Sequence, residues 1–193
     1  MIKIKEKYEY HCNMVSDINE HLPTLYKFAK ECNHITEMGV RWVSSTWPLL
    51  LSNPEFMISY DIVKNENISE VVRLSEEYKI KYEFVECDVL NVEIEETDLL
   101  FIDTLHTYSQ LIQELKMHSN KVKKYIILHD TETYGLVDEP MYDHASEKVK
   151  GYYSNKQGLN TAVDEFLNSD KGHDWYVLEK FKNNNGLTIL KKK

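Results

Sequence analysis

LLFIDTLHTYSQLIQEL at 99–115, followed shortly by YIILHD at 125–130, decides how this chain folds. Residues 99–103 read as a strand ending on the carboxylate of Asp103. Thr107-Tyr-Ser-Gln110 has the form of a capping box and opens a helix carrying Leu111 and Leu115 on one face. Residues 125–129 are apolar almost throughout, as a strand covered on both faces should be. The two strands are therefore expected side by side, with Asp103 and Asp130 at neighbouring ends.

The same alternation extends in both directions. Upstream, 34–40, 56–63 and 81–89 read as strands. A short helix at 45–51 has Pro48 in its first turn, and Asn67 can cap a helix with Ile68, Val71, Val72 and Leu74. Before them, Ile18, Leu22, Leu25 and Ala29 follow helical spacing behind a Ser16 or Asp17 cap. Downstream, 158–168 is helical, with Leu159, Val163, Phe166 and Leu167 on one side. Residues 175–181 and 187–190 are strands joined by Asn183-Asn-Asn-Gly186, a hairpin signal that makes them antiparallel. The expected fold is α/β: a Rossmann-like doubly wound sheet, mostly parallel, with an antiparallel C-terminal hairpin strand. No repeat, low-complexity block or linker divides the chain. It reads as one domain, 1–193, with an N-terminal helical segment at 1–33. Residues 132–157 are too long for an ordinary connection and are expected to form a lid or substrate loop. Tyr134, Tyr142, Tyr152 and Tyr153 give that loop something to pack with.

The 193 residues are 42% hydrophobic and 28% charged, a globular balance. The net charge of −9 gives no general attraction to a phosphate backbone, so nucleic-acid and anionic-membrane partners are not expected. No apolar stretch reaches the ~18 residues of a membrane span. Cys12, Cys32 and Cys87 are odd in number and have no CxxC spacing. Together with an N-terminus lacking an apolar signal core, they point to reduced thiols and a cytoplasmic protein.

Ligands of a doubly wound sheet bind outside the carboxyl ends of its strands. Each strand here brings a polar group there: Glu37 and Gly39, Asp61, Asp88, Asp103, then His129 and Asp130. Any one of these could be an independent loop cap; five strands in turn point to a shared site. Gly39 would let a ligand approach the backbone, and the amides beyond it would meet polar ligand groups. Only one glycine of a GxGxxG remains, which disfavours a pyrophosphate cradle. Asp61 follows by roughly the twenty residues that place an acid on a ribose hydroxyl pair. A ribose without pyrophosphate suggests an adenosyl ligand other than NAD.

ITEMGVRWVSST, the acid of SYDIV, FVECDV, FIDTLHTY, IILHDTETYG and the final NNNGLTIL together resemble a class I S-adenosylmethionine-dependent methyltransferase. Within that family the chain is most similar to metal-dependent O-methyltransferases, including those that methylate sugars and the related cephalosporin-hydroxylase group. The likeness runs from about Asp17 to Leu190. It implies a seven-stranded sheet with an antiparallel last strand. Glu37, Gly39, Arg41 and Ser45 would hold the methionine end of S-adenosylmethionine. Asp61 would take the ribose, and Cys87 and Asp88 would face the adenine. Arg41 departs from the glycine of the motif and could instead pair with an acid.

The same likeness implies methyl transfer to a small hydroxylated acceptor such as a sugar. A divalent ion, Mg²⁺ or Mn²⁺, would be shared by Asp103, His129 and Asp130. Asp103 also borders the cofactor, and His106 serves as the base three residues after it. Alone, His106 reads rather as a surface or helix-start histidine; its place three residues after Asp103 turns the reading toward a base. His129 stands where the family carries an acid. Imidazole suits Mn²⁺, Fe²⁺ or Zn²⁺ better than Mg²⁺. His129 therefore leaves three arrangements open: a different metal, a ring turned away from the acids, or no metal. Two other function classes remain, a non-catalytic adenosyl-binding module and a metal-dependent hydrolase built on Asp103, His106, His129 and Asp130. Trp42, Trp47 and Trp175 are expected in packing roles. Related enzymes often assemble, so a homo-oligomer is expected.

Overall fold

A computed structural model describes residues 1–140, 145–152 and 154–193. Among them, seven strands form one sheet: β1 (His34–Met38), β2 (Phe56–Asp61), β3 (Lys81–Glu86), β4 (Thr97–Ile102), β5 (Val122–His129), β6 (Trp175–Phe181) and β7 (Leu187–Lys192). Their order is β3-β2-β1-β4-β5-β7-β6. The first five pair in parallel, and β7 runs antiparallel to both β5 and β6. This is the expected doubly wound sheet with its reversed C-terminal strand. The chain goes from β1 outward to β3, then returns to the other side of β1, so the strand order reverses between β1 and β4. A crevice opens at the carboxyl ends of strands flanking such a point.

Strand residues alternate between two apolar layers, which is why the strands read as unbroken hydrophobic runs. Leu99, Phe101, Tyr125 and Ile127 face a layer built with α1 (Ile2–Asn13), α2 (Leu22–Ala29), α3 (Thr46–Leu51) and α4 (Ile68–Tyr78). Leu100, Ile102, Ile126 and Leu128 face α5 (Tyr108–His118) and α7 (Leu159–Leu167). No helix among the described residues is long and apolar enough to cross a membrane.

The ends of elements differ from expectation for local reasons. The helix expected from Ser16 through Ala29 is a short turn, Asn19–His21, followed by α2. Pro23 lacks an N–H and is accommodated only in a first turn, so the helix begins beside it. Ser16 instead accepts the amides of Ile18 and Asn19. The strand expected to reach Val40 stops at Met38, because Gly39 turns away at φ +82°. The strand expected to reach Val89 stops at Glu86, where Asp88 caps a one-turn helix by accepting the Leu90 amide.

The described parts of the long segment after β5 are tied to the fold. Asp138 accepts the amides of Tyr108 and Gly158, joining the starts of α5 and α7. Ser146 caps α6 (Glu147–Lys150). Tyr152 packs near Tyr108, whereas Tyr142 and Tyr153 lie outside the described residues. At the hairpin, Asn184, Asn185 and Gly186 all have positive φ. Asn184 receives the Glu20 amide and donates to the Ser16 carbonyl, so the hairpin docks on the N-terminal segment.

Candidate functional site

The loop after β1 is built by three contacts. A Cβ on Gly39 would lie 2.0 Å from the Asp103 carbonyl oxygen. The end of β4 therefore packs against the side that glycine leaves open, a reason for glycine that stands beside the ligand approach expected from the sequence. The Val40 and Arg41 amides, expected to meet a ligand, both donate to Asp61 Oδ2 at 2.8 and 3.1 Å. Arg41 and Val43 hold φ of +44° and +60°. That conformation is strained for a β-branched residue, and such strain persists only where surroundings enforce it.

Glu37 supplies part of that enforcement from beneath. Its fully buried carboxylate accepts from Ser45 Oγ (2.7 Å), Ser59 Oγ (2.6 Å) and Thr46 Oγ1 (3.0 Å). Burial pushes its carboxyl up to about 7, against the pull of the three hydroxyls. Glu37 does not line the cavity; Gly39, Arg41 and Ser45 do. The Arg41 guanidinium lies 3.6 Å from Asp17, an exposed pairing with an acid. Trp42, expected in packing, is 60% exposed at the cavity wall, while Trp47 and Trp175 are buried.

The cavity itself measures about 420 Å³, within the range of small-molecule sites. Asp61, Cys87 and Asp88 line one part of it, and Asp103, His106 and Asp130 another. Asp61 Oδ1 accepts the Val63 amide. Three of its roughly four acceptor positions are thus used, and one remains for a ligand hydroxyl. Asp88 is shared between the Leu90 amide and Asn91.

At the β4 and β5 ends, two histidines converge on two acids. His106 Nε2 lies 3.1 Å from Asp103 Oδ1 and 2.9 Å from Asp130 Oδ2. His129 Nδ1 lies 3.3 Å from each of the same oxygens. His106 Nδ1 donates to Glu139 Oε2 at 2.8 Å, and its ring stacks on Tyr134 with centroids 5.2 Å apart. His106 is therefore no free helix-start imidazole. Burial pushes it down, but hydrogen bonds to Asp103, Asp130 and Glu139 outweigh that and carry it far above the usual imidazole range. For Asp103, burial acts upward, yet the charge of His129 and hydrogen bonds from both rings hold it well below the carboxylate range.

One ligand atom each from Asp103, His129 and Asp130 falls within a sphere of mutual separations below 4.8 Å. Asp130 Oδ1 is buried and has no hydrogen-bond partner among the described residues. Two carboxylates, an imidazole nitrogen and an unmet acceptor suit a divalent cation. His129 faces the two acids, so the arrangement with its ring turned away does not occur. Glu139, which the sequence did not single out, orients His106 from the long segment.

The chain matches no protein-family profile and no curated protein by sequence. Its fold matches solved methyltransferases. The O-methyltransferase TomG of Streptomyces achromogenes, solved with SAM and involved in tomaymycin synthesis, is 16% identical. The match covers 98% of this chain and 89% of that one, at TM-score 0.60. The N-methyltransferase NodS of Bradyrhizobium japonicum is 12% identical over 91% of this chain and 96% of its own, at TM-score 0.59. An rRNA methylase of Escherichia coli is 13% identical over 92% of this chain and 65% of its own, at TM-score 0.53. The architecture is that of class I methyltransferases, a fold that these three proteins use on different acceptors.

Proposed function

We propose that this protein is an S-adenosylmethionine-dependent O-methyltransferase acting on a small hydroxylated acceptor such as a sugar. The observation that carries the reading is one continuous cavity, with Asp61 and Asp88 in one part and the Asp103–His106–Asp130 cluster in another. A donor lying along the strand ends would put its adenosyl group at the first and its methyl group toward the second. When bound, S-adenosylmethionine supplies a methyl group already activated on a sulfonium cation.

The chain's own residues supply position and charge. Asp61 keeps one acceptor position for a ribose hydroxyl, and Cys87 and Asp88 would flank the adenine. An acid-lined, partly enclosed wall favours a cationic donor. His106 holds a proton on Nδ1 against Glu139, which leaves Nε2 as the atom that exchanges a proton with an acceptor oxygen. Asp103, His129 and Asp130 would hold a divalent ion, whose charge lowers the pKa of an acceptor hydroxyl and offsets the carboxylates that keep His106 protonated. With the Val40 and Arg41 amides occupied by Asp61, Arg41 would meet the methionine end through its side chain, with Ser45 beside it on the cavity wall.

The test is calorimetric titration of the full chain with S-adenosylmethionine, followed by methyl transfer to a panel of small polyols with and without chelator. Micromolar binding and transfer to oxygen support the proposal. No binding at millimolar donor overturns it and favours the metal-dependent hydrolase, whereas binding without transfer leaves an adenosyl-binding module.

A further inference from the structure

His129 is 2% exposed, and its surroundings determine which nitrogen faces the two acids. Its Nε2 lies 3.2 Å from the carbonyl of Asp17 and 3.2 Å from that of Asn184. Carbonyl oxygens only accept, so Nε2 carries a hydrogen and is spent on the backbone. Nδ1 is the atom left to face Asp103 and Asp130. The ring is clamped from the side by His21, edge-on at 5.7 Å, whose own Nε2 meets the Asn183 carbonyl. The backbone carbonyls thus do for His129 what outer-shell partners do for metal-binding histidines: they occupy one ring nitrogen and aim the other at the acids.

With no ion between them, Nδ1 meets the two carboxylates as an N–H donor; a divalent ion held by those carboxylates would displace that proton and take the Nδ1 lone pair. Asp130 adds an acceptor that such an ion would meet. It sits at φ +58°, and its Oδ1 is buried without a partner among the described residues. Resting on the reading that these residues hold a divalent ion, we propose that His129 Nδ1 is a direct ligand and makes the centre select an imidazole-favouring ion of the Fe²⁺ or Zn²⁺ class over Mg²⁺. Mg²⁺ demands near-octahedral oxygen and gives up water reluctantly, whereas imidazole suits the later transition metals.

Two measurements on the chelator-treated full chain test this. The first is pulsed electron paramagnetic resonance with Mn²⁺ as the probe, which reads coupling to a ligating ¹⁴N. Coupling is expected in the wild type and in His106→Ala, and is expected to vanish in His129→Asp. The second is calorimetry with Zn²⁺ and Mg²⁺; the Zn²⁺ to Mg²⁺ affinity ratio should fall by about tenfold or more in His129→Asp. Bound Mn²⁺ without nitrogen coupling in the wild type overturns the proposal even if the variant fails to fold, and so does an unchanged ratio. Failure to bind any of the three ions also overturns it. Donor titration separates the two readings: metal bound through nitrogen without affinity for S-adenosylmethionine sinks the methyltransferase proposal and leaves this one standing.

Discussion

Glu37→Gln isolates the buried acid beneath the loop after β1 and gives a number that can be checked. Burial raises the Glu37 carboxyl from the ordinary 4.5 to about 7, and the hydroxyls of Ser45, Ser59 and Thr46 recover only part of the cost. With its folded value above its unfolded one, the native state holds more protons between the two. Stability therefore falls as pH rises across that window and is level above it. At about 1.4 kcal/mol per pH unit, the loss is about 3 kcal/mol. Glutamine has the same shape and no charge, and the three hydroxyls can rotate to donate or accept, so the variant lacks this loss. Glu114 is also fully buried and pushed up to about 7 by burial, and it depresses wild type and variant alike. Subtracting two urea-denaturation series, taken from pH 4.5 to 8, leaves the Glu37 contribution. The variant should match the wild type near pH 4.5 and exceed it by about 3 kcal/mol above pH 7. Parallel series would show that Glu37 ionises like a surface carboxylate and would refute the account of the loop's foundation.

Three further outcomes are expected. Gly39→Ala drives a methyl into the Asp103 carbonyl at φ +82°, so the fold should lose more than the ~1–2 kcal/mol of a left-handed alanine; an unchanged urea midpoint contradicts the packing. Asp61→Asn turns an amide donor toward the Val40 and Arg41 amides or toward Val63, leaving donors unpaired at about 1–3 kcal/mol. Its donor affinity should drop at least about tenfold by calorimetry, and equal affinity removes Asp61 from the site. His106→Ala should lower transfer by roughly 10²–10⁴-fold with donor affinity nearly unchanged; loss of affinity in step with turnover counts against His106 as the proton-exchanging group.

The strands were legible because burial on both faces writes a plain hydrophobic signal, and their ends were legible because carboxylates interrupt it. Asp61, Asp88, Asp103 and Asp130 could be assigned to one rim from that pattern, and all of them border the cavity, as does Cys87, which the family resemblance added. Contacts between distant segments were not legible. Spacing marked Gly39 as special but could not show that the Asp103 carbonyl occupies its missing side chain. Glu37 ends a strand as the others do, yet its side chain falls on the closed face of the loop. Asp138 and Glu139 sit in an irregular segment whose sequence carries no periodicity, so nothing marked them as the clamp on α5 and His106. Helix α1 did leave a trace, since Ile4, Tyr8 and Cys12 recur at four-residue spacing and pack against the same layer.

The two parts of the cavity are mechanically joined, and Asp17 shows how. Its carboxylate meets Arg41 on the loop expected at the methionine end, and its carbonyl accepts from His129 at the expected metal centre. Beside it, Asn184 of the hairpin offers the second carbonyl to His129 and is itself held by Ser16 and Glu20. Gly39 and Asp103 are in backbone contact on the opposite side. A displacement of the Gly39 loop therefore moves against β4 on one flank and against the Asp17 segment on the other, and both carry groups of the acid–histidine cluster. On the proposed reading, donor position and cluster geometry would be set by the same few contacts. A site assembled from independent loop caps would not need the N-terminal segment, the ends of β4 and β5 and the C-terminal hairpin to meet around one buried histidine.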